Sequence, residues 1–167
     1  MGTLDPALKA QWPSPKGGFC IGVFLTVLKG REILLGKMTE PDSWVKKFLV
    51  GQERADAYCA SGKWVIPARH LVFGEDPEEA ANWVMKEQLG FKYGRISLAQ
   101  IQNHLREENK PNAHWDICLV YHAGTEEAPK RKEWFSELAY VPLSSLTTDD
   151  FTRGHGDIVR QLGLIDK

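Results

Sequence analysis

The chain has 167 residues, of which 43% are hydrophobic and 26% are charged, and this composition suits a single compact domain with a buried core. Its 21 lysines and arginines nearly balance its 22 aspartates and glutamates, so the charge pattern offers no basis for a nucleic-acid partner. The longest apolar run, near residues 19–28, is too short to span a bilayer, and we therefore expect no membrane partner.

The N-terminal segment, residues 1–18, is rich in proline and glycine and predicts an irregular arm. It lacks the basic-then-apolar pattern of a secretory signal. Cys20, Cys59 and Cys118 are odd in number, widely spaced and unlike any zinc motif. Reduced thiols and a cytoplasmic location are therefore the expectation.

The first half of the remaining chain predicts a hairpin followed by a helix. Two apolar runs, residues 19–29 and 32–37, flank a turn at Gly30-Arg31. In the segment 38–61, Trp44 and Phe48 are spaced as on one helical face, which predicts a short amphipathic helix there.

The middle of the chain predicts a strand and then a capped helix. Residues 62–67 form a short strand pattern that ends at a proline. Asp76 is placed as an N-cap, Pro77 suits the first helical position, and Glu79 stands where a capping box prefers it. We expect this helix to run to Leu89 and to stop at Gly90.

Further along, strands and one helix alternate with loops. Residues 96–105 suit either a helix or a strand, and residues 107–112 predict a loop. Residues 114–122 and 136–141 predict strands, and residues 157–162 a terminal helix. The mixture indicates an α/β or α+β fold.

The stretch from Gly62 to Phe91 resembles the Nudix box. That box is a glycine, five residues, a glutamate, seven residues, then Arg-Glu, an aliphatic residue, any residue, Glu-Glu, any residue, glycine and an aliphatic residue. The matching residues in and around it are Trp64, Pro67, Glu75, Pro77, Met85, Glu87, Gly90 and Phe91, with Tyr140-Val141-Pro142-Leu143 as a further family-like segment. The resemblance implies a Nudix fold, a mixed β-sheet sandwiched between α-helices, over residues 19–167, with an insertion around 38–61.

The box departs from the family pattern at four positions. Arg69 replaces the glycine, Trp83 the arginine, Val84 the first glutamate of Arg-Glu, and Gln88 the last glutamate. In active Nudix enzymes the three glutamates lie on one helical face and hold Mg²⁺ or Mn²⁺ against a diphosphate. One carboxylate of three, Glu87, remains here. The resemblance therefore implies weak or absent binding of Mg²⁺ or Mn²⁺.

The candidate metal ligand and catalytic residues are carboxylates, and two histidines are candidate bases. Glu87 is the candidate metal ligand, against the alternative of an ordinary helix-surface glutamate. Glu87, Glu75 and Glu137 are the candidate catalytic residues, while a structural or capping role is the alternative for Glu75. His114 and His122 are further candidates for a base.

Three box residues are candidates for ligand binding. The guanidinium of Arg69 could hold a phosphate, unless it is an ordinary loop arginine. Trp83 could stack on a base or serve as a wall of the core or cleft. The amide oxygen of Gln88 could coordinate without supplying charge.

Three functional hypotheses follow. The first is a degenerate Nudix domain that binds a nucleotide or other phosphorylated small molecule with impaired or no pyrophosphohydrolase activity. The second is an active hydrolase of a nucleoside-diphosphate-linked substrate that uses rearranged ligands such as Glu87, Gln88 and Glu137. The third is an interaction or scaffolding module. A homodimer is possible, and the insertion could shape either a cleft or a dimer contact.

Overall fold

The structure is a computed structural model that describes residues 18–92, 94–106, 114–152 and 154–166. Its strands are β1 (Phe19–Lys29), β2 (Glu32–Met38), β3 (Trp64–Val65), β4 (Ala68–His70), β5 (Arg95–Arg106), β6 (His114–Gly124) and β7 (Phe135–Pro142). Its helices are α1 (Pro41–Phe48), α2 (Gln52–Ser61), α3 (Pro77–Trp83), which continues as a π-helical turn (Val84–Gln88), and α4 (His155–Gln161).

The sheet is mixed, and the predicted hairpin lies near its centre. β1 and β2 are antiparallel, with Lys29 opposite Glu32, and the turn is at Gly30 and Arg31. The strand order is β3-β2-β1-β6-β5, with β4 paired to β1 and β7 to β2. β1 and β6 are parallel, whereas the other pairs are antiparallel. This arrangement brings the box strand β4 beside the centre of the sheet.

Helices cover both faces of this sheet, as the resemblance implied. Side chains alternate along β1 and β2, so Val23 and Leu25 face one way and Ile33 and Leu35 contribute to a second core. The first core contains residues of α1, α3 and the π-helical turn, and the second contains Ile158 of α4. The predicted sandwich is therefore confirmed.

The box helix begins and ends where the sequence predicts, but its last turn differs. The carboxylate of Asp76 accepts the backbone N–H groups of Glu78 (2.8 Å) and Glu79 (3.2 Å), and Gly90 has a left-handed φ of 71°. From Val84 to Gln88 the backbone is π-helical. The α-helical spacing that puts the three family glutamates on one face therefore does not apply to these positions in this chain.

The segment 38–61 forms two helices rather than the single predicted one. α1 is the amphipathic helix that the sequence predicts, with Trp44 and Phe48 buried. α1 ends at Leu49, which has a φ of 57°, and α2 follows. The sequence does not predict α2, because its apolar residues define no clear face.

Two strand predictions need correction or completion. Residues 62–67 are not one continuous strand: β3 pairs with β2, and after Pro67 the chain pairs with β1 as β4. Pro67 lies at this change of partner, where its missing N–H disrupts no ladder, and its carbonyl accepts the N–H of Leu25 (2.9 Å). The ambiguous stretch 96–105 belongs to strand β5, which is antiparallel to β6.

The structure also tests the predicted strands and helix of the C-terminal half. The predicted strands at 114–122 and 136–141 are confirmed as β6 and β7, and the terminal helix begins two residues earlier than predicted. Residues 1–17 of the predicted arm at 1–18, and the predicted loop at 107–112, lie outside the described residues. Within those residues, no helix has the length and apolar composition needed to cross a membrane.

Candidate functional site

Gln88 lies inside the protein and connects the box helix to the box strand. The residue is fully buried. Its amide oxygen accepts the N–H of Ala68 (3.2 Å), and its amide nitrogen donates to the carbonyl of Ala68 (2.7 Å). Both polar groups of the predicted ligand-binding side chain are thus engaged with backbone. A glutamate at this position would keep the acceptor and lose the donor.

The other two family glutamate positions point in different directions. Val84 is fully buried in the core beneath the box helix. Glu87 is exposed, and in the described parts of the chain no hydrogen bond or ion pair reaches its carboxylate. The predicted metal ligand and catalytic residue Glu87 therefore stands alone, with Val84 and Gln88 turned inward.

These residues do not fit a divalent cation. Mg²⁺ needs oxygen ligands in near-octahedral geometry. Valine supplies none, and the oxygen of Gln88 already accepts a backbone N–H. In the described residues, no group of three or more histidine, cysteine, aspartate or glutamate side chains is placed to hold a metal ion. We therefore assign no chemical step to a metal at this box.

Arg69 forms a brace with Glu75 across the loop that precedes the box helix. Its two terminal nitrogens bind the two carboxylate oxygens at 3.0 and 3.1 Å. The Glu75 carboxylate also accepts the N–H of Val72 (3.1 Å). Trp83 lies against the guanidinium, with its ring centre 4.7 Å from the central carbon of Arg69.

This brace is the relocated counterpart of an expected pair. The resemblance implies a pair between Glu75 and an arginine at position 83. Here the arginine comes from position 69, and Trp83 supplies an aromatic face instead. The arginine and glutamate side chains are only 10% and 22% exposed, so the pair is partly screened from solvent. Roles of Glu75 in catalysis and of Arg69 and Trp83 in ligand binding stay predictions, and the contacts of all three are structural.

Glu137, the third predicted catalytic residue, takes part in a cross-strand pair. It lies on β7 opposite Lys37 of β2, and its carboxylate is 2.9 Å from the Lys37 ammonium. That ammonium also lies 4.5 Å from the ring centre of Trp64. The contacts therefore place Glu137 in a surface network of the sheet.

The two candidate histidines lie on β6. His114 is its first residue, and its side chain lies outside the described set. His122 contacts the hydroxyl of Thr26 through Nδ1, and burial lowers the pKa of its imidazole below the ordinary value. Because Thr26 also donates to the carbonyl of Tyr121 (2.9 Å), His122 Nδ1–H is the donor to Thr26 in this arrangement.

A cavity of about 270 Å³, which we call the inner cavity, opens beside the box strand. Its walls include residues of β1, β4, β6, α2 and α4. Phe24, Ile66 and Ile158 make part of its surface apolar, whereas Asp116 and His155 are polar. An open groove of about 1140 Å³, the outer groove, adjoins it and runs between α2 and residues 148–152 and 154–157. Residues of the segment 38–61 therefore line both the inner cavity and the outer groove.

The contacts of two polar groups in the inner cavity define their protonation states. The thiol of Cys20 donates to the carboxylate of Asp116 (3.1 Å), and burial together with this carboxylate raises the pKa of the thiol to about 12. His155 Nδ1 accepts the N–H of Ile66 (2.9 Å), so that nitrogen carries no proton. The cavity thus contains a neutral thiol and an imidazole held in one tautomer.

Comparison with solved structures identifies the fold. A MutT Nudix hydrolase from Burkholderia pseudomallei superposes with a TM-score of 0.58 at 19% identity, covering 86% of this chain and 95% of that one. A MutT protein from Methanosarcina mazei Go1 gives 0.59 at 16% identity, with coverage of 90% and 95%. An Ap4A hydrolase from C. elegans gives 0.54 at 15% identity, with coverage of 87% and 94%. The chain has the Nudix fold. No protein-family model matches its sequence.

Within this Nudix fold, sequence reasoning missed the polar residues of the cleft. Arg54 and Tyr58 come from α2, which has no predicted counterpart. His70 occupies one of the box positions that accept any residue, and Asp116 was part of a strand pattern. No sequence signal joins them, because the connection depends on the packing of α2 against the sheet.

Proposed function

We propose that this Nudix-fold chain binds a nucleotide or another phosphorylated small molecule in the inner cavity, with impaired or no pyrophosphohydrolase activity. The observation that carries the proposal is the cavity itself, because it combines an apolar surface with a few polar groups beside the box strand. Its volume of about 270 Å³ suits one ring system with a small substituent. The outer groove leaves room for the rest of a longer ligand.

The inward-facing Val84 and Gln88 support the second half of the proposal. Metal-assisted attack on a diphosphate depends on stabilising charge, and removing one such contact commonly costs about 10²–10³ in rate. Two of the three family carboxylates are absent, and their replacements are fully buried. Glu87 and Glu137 have no contact with each other in the described structure.

Binding can be tested by thermal melting with a panel of nucleosides and their mono- and diphosphates. A ligand that binds the folded state raises Tm in a concentration-dependent way. Ala68→Leu places a larger side chain at the cavity wall and should abolish the shift. Ala99→Leu, on the exposed part of β5, is the matched control and should preserve it.

Turnover is tested separately with Mg²⁺ or Mn²⁺ and nucleoside-diphosphate-linked substrates. We expect no metal-dependent hydrolysis in the ordinary enzyme range. Such hydrolysis, lost in Glu87→Gln, would instead establish the rearranged active site. No Tm shift with any compound, together with no turnover, would favour the interaction or scaffolding module.

A further inference from the structure

One arginine in the cleft, Arg54, has no carboxylate partner in the described part of the chain. Arg54 of α2 lines both the inner cavity and the outer groove. Its guanidinium contacts His70 (3.4 Å), and among the residues that the structure describes no acidic side chain pairs with it. Arg69, by contrast, is neutralised by Glu75. Arg54 is therefore a cation of the cleft that is available to an anionic ligand.

His70 holds this guanidinium in a defined way. Its Nε2 faces Nη1 of Arg54, and its Nδ1 lies 3.3 Å from the carbonyl oxygen of Leu49. A guanidinium only donates and a carbonyl only accepts. The neutral imidazole with its proton on Nδ1 satisfies both contacts: Nδ1–H donates to the carbonyl of Leu49, and Nε2 accepts from Arg54. The cationic ring would instead turn an N–H toward Arg54.

The box anchors the backbone of His70. Arg69 Nε donates to the His70 carbonyl (3.2 Å), and the same guanidinium binds Glu75. β4 pairs with β1 at this point, with His70 opposite Gly22. The brace of the box loop therefore extends, through one peptide unit, to the histidine that holds Arg54.

We propose that Arg54, positioned by His70, binds the terminal phosphate of a ligand whose apolar part occupies the inner cavity. This inference rests on the proposed function and assigns the anion site within it. A guanidinium can present two N–H groups to two phosphate oxygens, and its contact with His70 leaves other N–H groups free. The site needs no metal, because the charge comes from the side chain.

The surroundings favour a compact phosphate rather than a long polyphosphate chain. Beyond Arg54, the described residues that line the outer groove include the acidic Glu53, Asp149 and Asp157 and the basic Lys63. Asp157 is itself paired with Arg160 (3.2 Å). An excess of negative charge along the groove disfavours further phosphates there. The expected ligand class is a phosphomonoester or a diphosphate that ends near Arg54.

The test measures Kd by calorimetry for a panel of nucleosides and their 5′-mono-, di- and triphosphates. For the wild-type chain we expect the monophosphate of the preferred base to bind more tightly than its nucleoside, and the triphosphate to gain nothing over the diphosphate. Arg54→Ala should raise the Kd of the monophosphate by about 30-fold, the size expected for the loss of a charged hydrogen-bonded contact. It should change the Kd of the nucleoside by less than about twofold. Arg31→Ala, an exposed arginine at the hairpin turn, is the control and should change neither.

His70 acts through Arg54, so its variants need a separate readout. His70→Phe should raise the Kd of the monophosphate by about fivefold, as expected for one lost hydrogen bond, and leave the Kd of the nucleoside unchanged. The double variant with Arg54→Ala should be no worse than Arg54→Ala alone. His70→Gln, which keeps one donor and one acceptor, should recover part of the loss. If His70 had a purely structural role, its variants would weaken the binding of the nucleoside and of the monophosphate equally.

The outcomes separate the two proposals. If nucleoside and monophosphate both bind, but Arg54→Ala leaves their ratio unchanged, the anion site is wrong and the cavity proposal stands. If the triphosphate binds much more tightly than the diphosphate, the proposal that the ligand is a phosphomonoester or a diphosphate is wrong. If no nucleoside or nucleotide of the panel binds the wild-type chain, both proposals are overturned.

Discussion

The two halves of the box differ from the family pattern in opposite ways. In the loop half, residues 69–76, the charged contacts are kept although the arginine has moved: Arg69 binds Glu75, and Asp76 caps the helix. In the helix half, residues 84–88, packing is kept and charge is lost: Val84 and Gln88 are fully buried. A loop has few apolar contacts and depends on polar ones, whereas a buried helical turn is stabilised by filling space.

The same contrast separates the two arginines of the cleft wall. Arg69 is paired and largely buried, so its charge stabilises the loop. Arg54 is exposed and has no acidic partner in the part of the chain that the structure describes. Arg69, at a position of the box, therefore has a structural contact, whereas Arg54, in the segment 38–61, presents its charge to the cleft.

The largest expected effect comes from returning a carboxyl group to the helix half. Val84→Glu places an ionisable group in a fully buried apolar site and should lower the free energy of unfolding by at least ~3 kcal/mol. Its folded-state pKa would be raised above the unfolded value, so the unfolded chain releases the proton first. The deficit should therefore grow as pH rises above about 4.3.

Urea unfolding between pH 4 and pH 8 measures this deficit, with the exposed Glu87→Gln as a control expected within about 0.5 kcal/mol of wild type. A small deficit that does not change with pH would mean that position 84 can turn outward. The helix half would then retain the geometry of a metal-binding face.

A smaller effect is expected from the brace in the loop half. Arg69→Leu leaves the partly buried carboxylate of Glu75 without its cation and should cost about 2 kcal/mol, less than for a fully buried pair because solvent reaches both side chains. Arg69→Gly removes the same cation, and adding Trp83→Arg to Arg69→Gly should recover part of the stability that Arg69→Gly loses, since it recreates the pair that the resemblance implies. Thermal and urea unfolding of the single and double variants provide the measurement. Independent, additive losses would contradict a relocated brace.

The smallest effect is expected at the helix cap. Asp76→Ala removes the acceptor of two backbone N–H groups and should cost about 1 kcal/mol. Asp42→Ala is the control: Asp42 lies in the first turn of α1, where no side-chain cap is formed, and it should change stability by less than about 0.5 kcal/mol. Equal losses in urea unfolding for both variants would show that the cap adds nothing beyond helix-terminal charge.

Much of the fold could be predicted from local patterns. The hairpin of β1 and β2, the Asp76 cap and the stop at Gly90 each follow from a few neighbouring residues. The sequence left residues 95–106 open between helix and strand, because side-chain spacing is ambiguous there and pairing with β6 decides. α2 was missed because it has almost no apolar face.

The sequence by itself determined the order of most strands and helices, the resemblance of residues 62–91 to the Nudix box, and the presence of valine and glutamine where that box has glutamates. These properties depend on residue identity and local spacing. Only the tertiary structure decided that Gln88 bonds to Ala68, that Arg69 replaces the missing arginine, and that His70 meets Arg54. Each of these contacts joins residues on different elements, and packing brings those elements together in a way that no local pattern encodes.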